Sequence, residues 1–350
     1  MLRLNTSWQY WRGKLRSHPL PLGGHEGIAA YLRQSGICAA VSPNIIEKAC
    51  RAGRLDLVQE YDRFLQASSQ VAQVALNASI CLGHLDIIQW IRSRFWERVT
   101  EPVSLCEAAA FGRLNVLQWF HDNGEGDWTR DLMECAAEHG QSKILQWLQL
   151  YRSEGCTSSA MDSAACNGYL ETVMWLHTNR SEGCTAKAMD DAARGGHLEM
   201  VKWLHMNRSE CCTTQAMDLA AKNGHLEILQ WLHVHRTDAF TAQAIEGAVS
   251  YGHLGVTQWL CSKRPGLLTT GPLQAAIFYG NFAITAYLYP HFDRGLGSDI
   301  VLKAAVCGHV PMLQWLCERF PGQVDYRQIR TIATRYRKCP RVEERLASIA

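Results

Sequence analysis

The sequence predicts an all-α solenoid of about ten to eleven stacked helix pairs, joined by short loops with little or no β-hairpin. Three observations carry this reading. Gly112, Gly140, Gly168, Gly196, Gly224, Gly252, Gly280 and Gly308 stand 28 residues apart, and Gly83 and Gly53 continue the series upstream at steps of 29 and 30. Eight of the twelve tryptophans fall on one register of these units: Trp90, Trp119, Trp147, Trp175, Trp203, Trp231, Trp259 and Trp315, with Tyr287 and Tyr31 as substitutes. Between the glycines, apolar residues recur at helical rather than strand spacing.

Seven units open on a hydroxyl residue eleven before the glycine, at Ser42, Thr129, Thr157, Thr185, Thr213, Thr241 and Thr269. A hydroxyl there accepts an orphan backbone N–H and starts a helix. Helix A then runs for about eleven residues. In the unit of Gly196, Met189, Ala192 and Ala193 share one face of it, and their small size lets neighbouring helices approach closely. The glycine takes the positive φ that reverses the chain. Helix B follows, with Leu198, Val201, Trp203 and Leu204 as its apolar positions. One pair cannot bury these faces alone, so units must stack on one another. The indole rings are read as packing between units rather than as a ligand cage, each expected to bury about 200 Å².

Ala192-Ala193-Arg194-Gly195-Gly196-His197-Leu198-Glu199 and Ala220-Ala221-Lys222-Asn223-Gly224-His225-Leu226-Glu227 resemble the ankyrin repeat signature A-A-x-x-G-H-L-E. The resemblance covers about residues 24 to 322, counting Gly24 as a degenerate first anchor. It departs from the standard repeat in its period of 28 rather than 33 and in lacking the T-P-L-H segment, replaced by Ala-Met-Asp sequences such as Ala160-Met161-Asp162. The pattern is similar to the short, tryptophan-rich ankyrin-like repeats of microbial eukaryotes. The resemblance implies a non-catalytic protein-binding role, with helix A on the concave side and without the hairpin fingers of the longer repeat.

The array is therefore expected over residues 24–322, between an unassigned lead over 1–23 and capping helices over 323–350. In that tail Asp325 can cap a helix from Tyr326 to about Arg337, and Pro340 opens a second. Arg327, Arg330, Arg335, Arg337, Lys338 and Arg341 give it a basic surface, read first as a solubilising cap.

Composition narrows the function. Of 350 residues, 47% are hydrophobic and 19% charged, which excludes a disordered chain, and 35 basic against 33 acidic side chains leave no bulk charge for a polyanion. No signal-like or membrane-spanning apolar run is present, so a cytoplasmic chain is expected, with a nuclear location as the alternative. The chain lacks a phosphate loop, a zinc-protease motif, a nucleophile elbow and the kinase signatures. No enzyme activity and no cofactor are expected. Histidines follow the repeat: His84, His197, His225, His253 and His309 come directly after a glycine, while His121, His177, His205 and His233 end helix B. Cys156, Cys184 and Cys212 share a register whose spacing of roughly 10 Å is too long for disulfides. Only His205, Cys211, Cys212, His233 and His235 cluster enough to raise metal binding, and they lack paired C-x-x-C spacing.

Two charge ladders remain. Arg152, Arg180, Arg208, Arg236 and Arg264 recur in the loops after helix B, the first four followed two residues later by Glu154, Glu182, Glu210 and Asp238. Glu134, Asp162, Asp190, Asp218 and Glu246 recur six before the glycine, with Asp191 and Glu138 nearby. The acids either form a stripe roughly 40 Å long that receives a basic protein segment, or accept hydrogen bonds from the next repeat. The expected function is a monomeric protein-interaction scaffold that grips its partner on the helix A face through Glu134, Asp162, Asp190, Asp191, Asp218 and Glu246. The alternative is binding of nucleic acid or anionic lipid through Arg152, Arg180, Arg208, Arg236, Arg264 and the basic tail.

Overall fold

The structure, a computed structural model, describes residues 43–99, 102–210, 212–236, 240–292, 303–304 and 306–319. The lead over 1–23, Ser42, Cys211, Asp238 and the capping helices over 323–350 lie outside these residues. The described chain is helical, and its only β-type pairing is an isolated bridge between Ser104 and Asp127. It divides into two compact units: residues up to Ser104 with Asn115–Asp127, and Leu105–Leu114 with Trp128 onward.

In the first unit the helices are α1 (Pro43–Arg51), α2 (Leu55–Glu60), α3 (Asp62–Ala67), α4 (Ser69–Leu82) and α5 (Leu85–Phe95), followed by a 3-10 turn over Trp96–Arg98. The helix expected after Gly53 is interrupted at Tyr61, so α2 and α3 replace one continuous segment. Ile87, Ile88, Ile91 and Phe95 bury one face of α5. Further along, Arg92 donates to both carboxylate oxygens of Glu125, at 2.9 and 3.0 Å. The same guanidinium lies 5.7 Å from the centroid of the Trp119 ring on α7 (Leu114–Asp122).

The second unit repeats one brick. Helix A is α6 (Cys106–Ala110), α8 (Asp131–Glu138), α10 (Ser158–Cys166), α12 (Ala186–Gly195), α14 (Thr214–Lys222), α16 (Ala242–Ser250) and α18 (Thr270–Phe278). Helix B is α9 (Ser142–Tyr151), α11 (Leu170–Asn179), α13 (Leu198–Asn207), α15 (Leu226–His235), α17 (Leu254–Lys263), α19 (Phe282–Leu288) and α20 (Val310–Arg319). Successive A helices pack on one another from α6 to α18. The paired small residues explain how: Ala136 and Ala137, Ala164 and Ala165, Ala192 and Ala193, and Ala220 and Ala221 are all fully buried. With only a methyl group at the contact, two helices come within the short end of the usual 8 to 10 Å separation.

The turn between A and B has a defined chemistry. At Gly196, φ is +84°, and the N–H groups of Gly196 and His197 return to the carbonyls of Ala193 and Ala192, a pairing that closes a helix end and needs a left-handed residue. Space imposes a second requirement. A Cβ on Gly196 would stand 2.6 Å from the His225 ring of the next repeat.

Helix A starts as expected at four joints. Thr157, Thr185, Thr213 and Thr241 each accept the N–H two residues on, at 3.1 to 3.2 Å. Thr129 and Thr269 do not: α8 begins behind Arg130 without a side-chain cap, and Thr269 occupies the cap position of α18 without that bond. The loop before Thr269 is built differently, with Pro265–Leu267 in a 3-10 turn.

The tryptophans pack less deeply than expected. Trp147 is 8% exposed, with Trp128 at 6.0 Å and Tyr151 stacked at 5.3 Å. The other rings of the second unit are half-buried. Three of them lie edge-on to the histidine that ends the preceding helix B: Trp203 to His177, Trp231 to His205 and Trp259 to His233, at 5.1 to 5.3 Å and 87 to 90°. Position seven after the glycine thus faces the seam between B helices rather than the core, which Leu and Val of the same helix fill.

Candidate interaction surface

The acidic ladder is bonded along the stack. Asp162 accepts the backbone N–H and the hydroxyl of Thr185 at 2.8 and 2.6 Å. Asp190 does the same to Thr213 at 2.9 and 2.7 Å, and Asp218 to Thr241 at 2.9 and 2.7 Å. Glu134, one methylene longer, takes both groups of Thr157 on a single oxygen, at 3.2 and 2.6 Å. Asp190 and Asp218 are only 5% and 8% exposed. Burial holds the Asp190 carboxyl above the usual carboxylate range, against the bonds from Thr213 that pull it down. Asp191 pairs with Arg194 at 3.2 Å on its own helix. Glu246 is exposed, opposite the uncapped Thr269. The alternation between stripe and bridge therefore resolves unevenly: four carboxylates hold the next repeat, one holds its own helix, and Glu246 alone of the six is exposed.

The arginine ladder is likewise engaged. Arg152, Arg180 and Arg208 form ion pairs with Glu154, Glu182 and Glu210. Arg180 also donates to Gln149 at 2.9 Å, and Arg208 faces His177 Nδ1 at 3.3 Å. Hydrogen bonds from their arginines hold the Glu182 and Glu210 carboxyls below the ordinary range. Arg236 is half-buried. Arg264 is exposed, donates to the Phe240 carbonyl at 3.0 Å and lies 5.7 Å from that ring. Glycines make room here too: a Cβ on Gly155 would meet Arg180 Nη2 at 2.7 Å.

Among the described residues no group of three His, Cys, Asp or Glu side chains is placed to hold a metal. His205, His233 and His235 serve ring contacts instead, His235 stacking on Trp231 at 4.2 Å. Burial, with Arg236 and His235 adding to it, lowers the pKa of His205. Cys156, Cys184 and Cys212 are buried, and burial pushes the Cys156 thiol up to about 11.

Sequence reasoning missed the work of the histidine after each glycine. His225 Nε2 meets the Arg194 carbonyl of the preceding helix A at 3.0 Å, and His309 meets that of Phe278 at 2.9 Å. Gln141 and Asn281 take the place of histidine and donate to Ala110 and Val249. At these joints one repeat thus satisfies an orphan carbonyl at the helix end of its neighbour. The substitution of one hydrogen-bonding side chain by another at this register was the available signal.

Similar helix pairs, closed at four joints by an acid–threonine bridge and at others by a side chain reaching back to a helix end, define a helical-repeat solenoid. Residues 189–233 match the family model described as ankyrin repeats in many copies. That stretch carries ankyrin repeats, and the same register of glycine, paired alanines and leucine runs on through the neighbouring units. No curated protein matches the chain. Ankyrin repeats generally mediate protein–protein interaction and are typically non-catalytic. No helix among the described residues is long and apolar enough to cross a membrane.

Proposed function

We propose that this chain is a non-catalytic protein-binding scaffold whose partner meets the helix A layer. One observation carries the reading: side chains that recur in register are spent on bonds between repeats, while solvent-facing positions of the same helices differ from one repeat to the next. At the last two positions before the glycine stand Arg194 and Gly195, then Lys222 and Asn223, then Tyr251, then Phe278 and Tyr279. Tyr251, Phe278 and Tyr279 are 62%, 53% and 54% exposed, and exposed aromatic residues beside cations are the composition of binding hot spots. The acidic ladder enters as the frame that fixes these positions, with Glu246 as its one member available for contact.

The chain acts as a monomer in the cytoplasm or nucleus, where its thiols stay reduced. The test replaces Tyr251, Phe278 and Tyr279 by alanine together with Glu246→Lys. Partner recovery from the native cell should fall at least tenfold while the melting temperature holds. Recovery equal to that of the unaltered chain would overturn the assignment to this face, and retention on heparin lost only at high salt would turn it toward a polyanion.

A further inference from the structure

The helix B layer carries a second pattern. Ten residues after the glycine stand Leu150, Thr178, Met206 and Val234, at the solvent-facing end of α9, α11, α13 and α15. Leu150, Met206 and Val234 are 77%, 75% and 77% exposed. Single exposed apolar residues need no explanation, but here large apolar side chains recur in one register over neighbouring helices, with a threonine as the remaining member. Seven residues earlier, two turns along the same helix face, stand Lys143, Glu171, Glu199 and Glu227, all exposed. Glu199 shares its charge with Lys202 at 2.7 Å. On the loop side of the apolar row, Arg180 and Arg208 are neutralised by Glu182 and Glu210. With Lys143 at one end and Glu199 compensated by Lys202, the row is bordered on one side by an excess of negative charge at Glu171 and Glu227, and by balanced pairs on the other.

Spacing selects the shape of what fits. Neighbouring helices lie about 8 to 10 Å apart, and seven residues of an α-helix advance about 10.5 Å. A helix laid across the repeats with an apolar residue at every seventh position meets one member of the row at each step, and about 21 residues span the four. Its diameter of about 10 to 12 Å carries its flank to the glutamate row. We infer that this face binds an amphipathic helix from a protein partner, with a heptad apolar stripe set on Leu150, Thr178, Met206 and Val234 and Lys or Arg residues toward Glu171, Glu199 and Glu227. The acidic border repels an anionic membrane or a nucleic acid. The site is separate from the helix A layer, so either assignment can fail alone.

The experiment uses the full chain and a fluorescein-labelled 24-residue synthetic helix with leucine at heptad positions and lysine on one flank, followed by anisotropy. Saturable binding is expected. It should weaken at least tenfold when Leu150, Met206 and Val234 are all replaced by serine, and at least threefold in Glu171→Gln, Glu199→Gln, Glu227→Gln. A peptide with glutamate in place of lysine should not bind, and the helix A variants should leave binding intact. Equal binding by the serine variant, equal binding by the acidic peptide, or uptake of the chain onto phosphatidylserine vesicles that the serine variant loses would each overturn the inference. Unchanged thermal melting of the exposed-site variants confirms that binding, not folding, is being read.

Discussion

Asp190 holds Thr213 at two atoms, taking its backbone N–H on one carboxylate oxygen and its hydroxyl on the other, while that hydroxyl accepts the N–H of Gln215. One side chain thus starts its own helix and ties it to the preceding one. Thr213→Val removes both functions and leaves a buried carboxylate short of a donor. A loss of about 2 to 4 kcal/mol is expected from denaturant unfolding, whereas Thr213→Ser keeps the hydroxyl and should lose under about 1 kcal/mol.

The same carboxyl sets a pH signature. Burial raises the Asp190 pKa in the folded chain above its ordinary 3.8, so its contribution to stability is present below that value and is lost as pH rises through the folded pKa. Glu210 works in the opposite sense. Its pKa is lowered from 4.5 by the bond from Arg208, so its contribution is present above 4.5 and lost as pH falls. Unfolding midpoints measured from pH 3 to 7 should show Asp190→Asn gaining relative to the parent as pH rises and Glu210→Gln losing. Parallel curves for the two variants would contradict these directions.

Gly196 and Gly124 separate two costs of a side chain. Both have positive φ, but a Cβ at Gly196 strikes His225 whereas nothing lies within 4 Å of one at Gly124. Gly124→Ala should lose about 1 kcal/mol from backbone strain alone, and Gly196→Ala about 2 to 3 kcal/mol. Combining Gly196→Ala with His225→Ala should be less damaging than the sum of the two single changes, which a double-mutant cycle measures.

The indole rings should rank by depth. Trp147→Ala removes a buried ring in contact with Trp128 and Tyr151 and is expected to cost about 3 to 5 kcal/mol. Trp203→Ala removes a half-buried ring against His177 and should cost about 2 kcal/mol. Equal losses would mean that the seam between B helices is as tight as the core.

The fold was legible because its signals were local and repeated. Thr185, Gly196 and Leu198 announce a helix start, a reversal and a second helix from sequence alone. What stayed open or escaped lies between repeats. The pairings of Asp162 with Thr185 and of His225 with the Arg194 carbonyl join residues 23 and 31 apart, and no one-dimensional pattern shows whether a ladder of acids faces water or the next helix. Tryptophan was misjudged for a related reason: periodicity places Trp203 on a face, but the depth of that face depends on how closely Ala192 and Ala193 let their neighbours approach.

Those bridges also make the length of the array a free variable. Where each joint is closed by the same atoms at the same offset, a copy of residues 185–212 spliced in phase after Cys212 would find an acid waiting behind it and offer one ahead, adding reach without inventing any new contact.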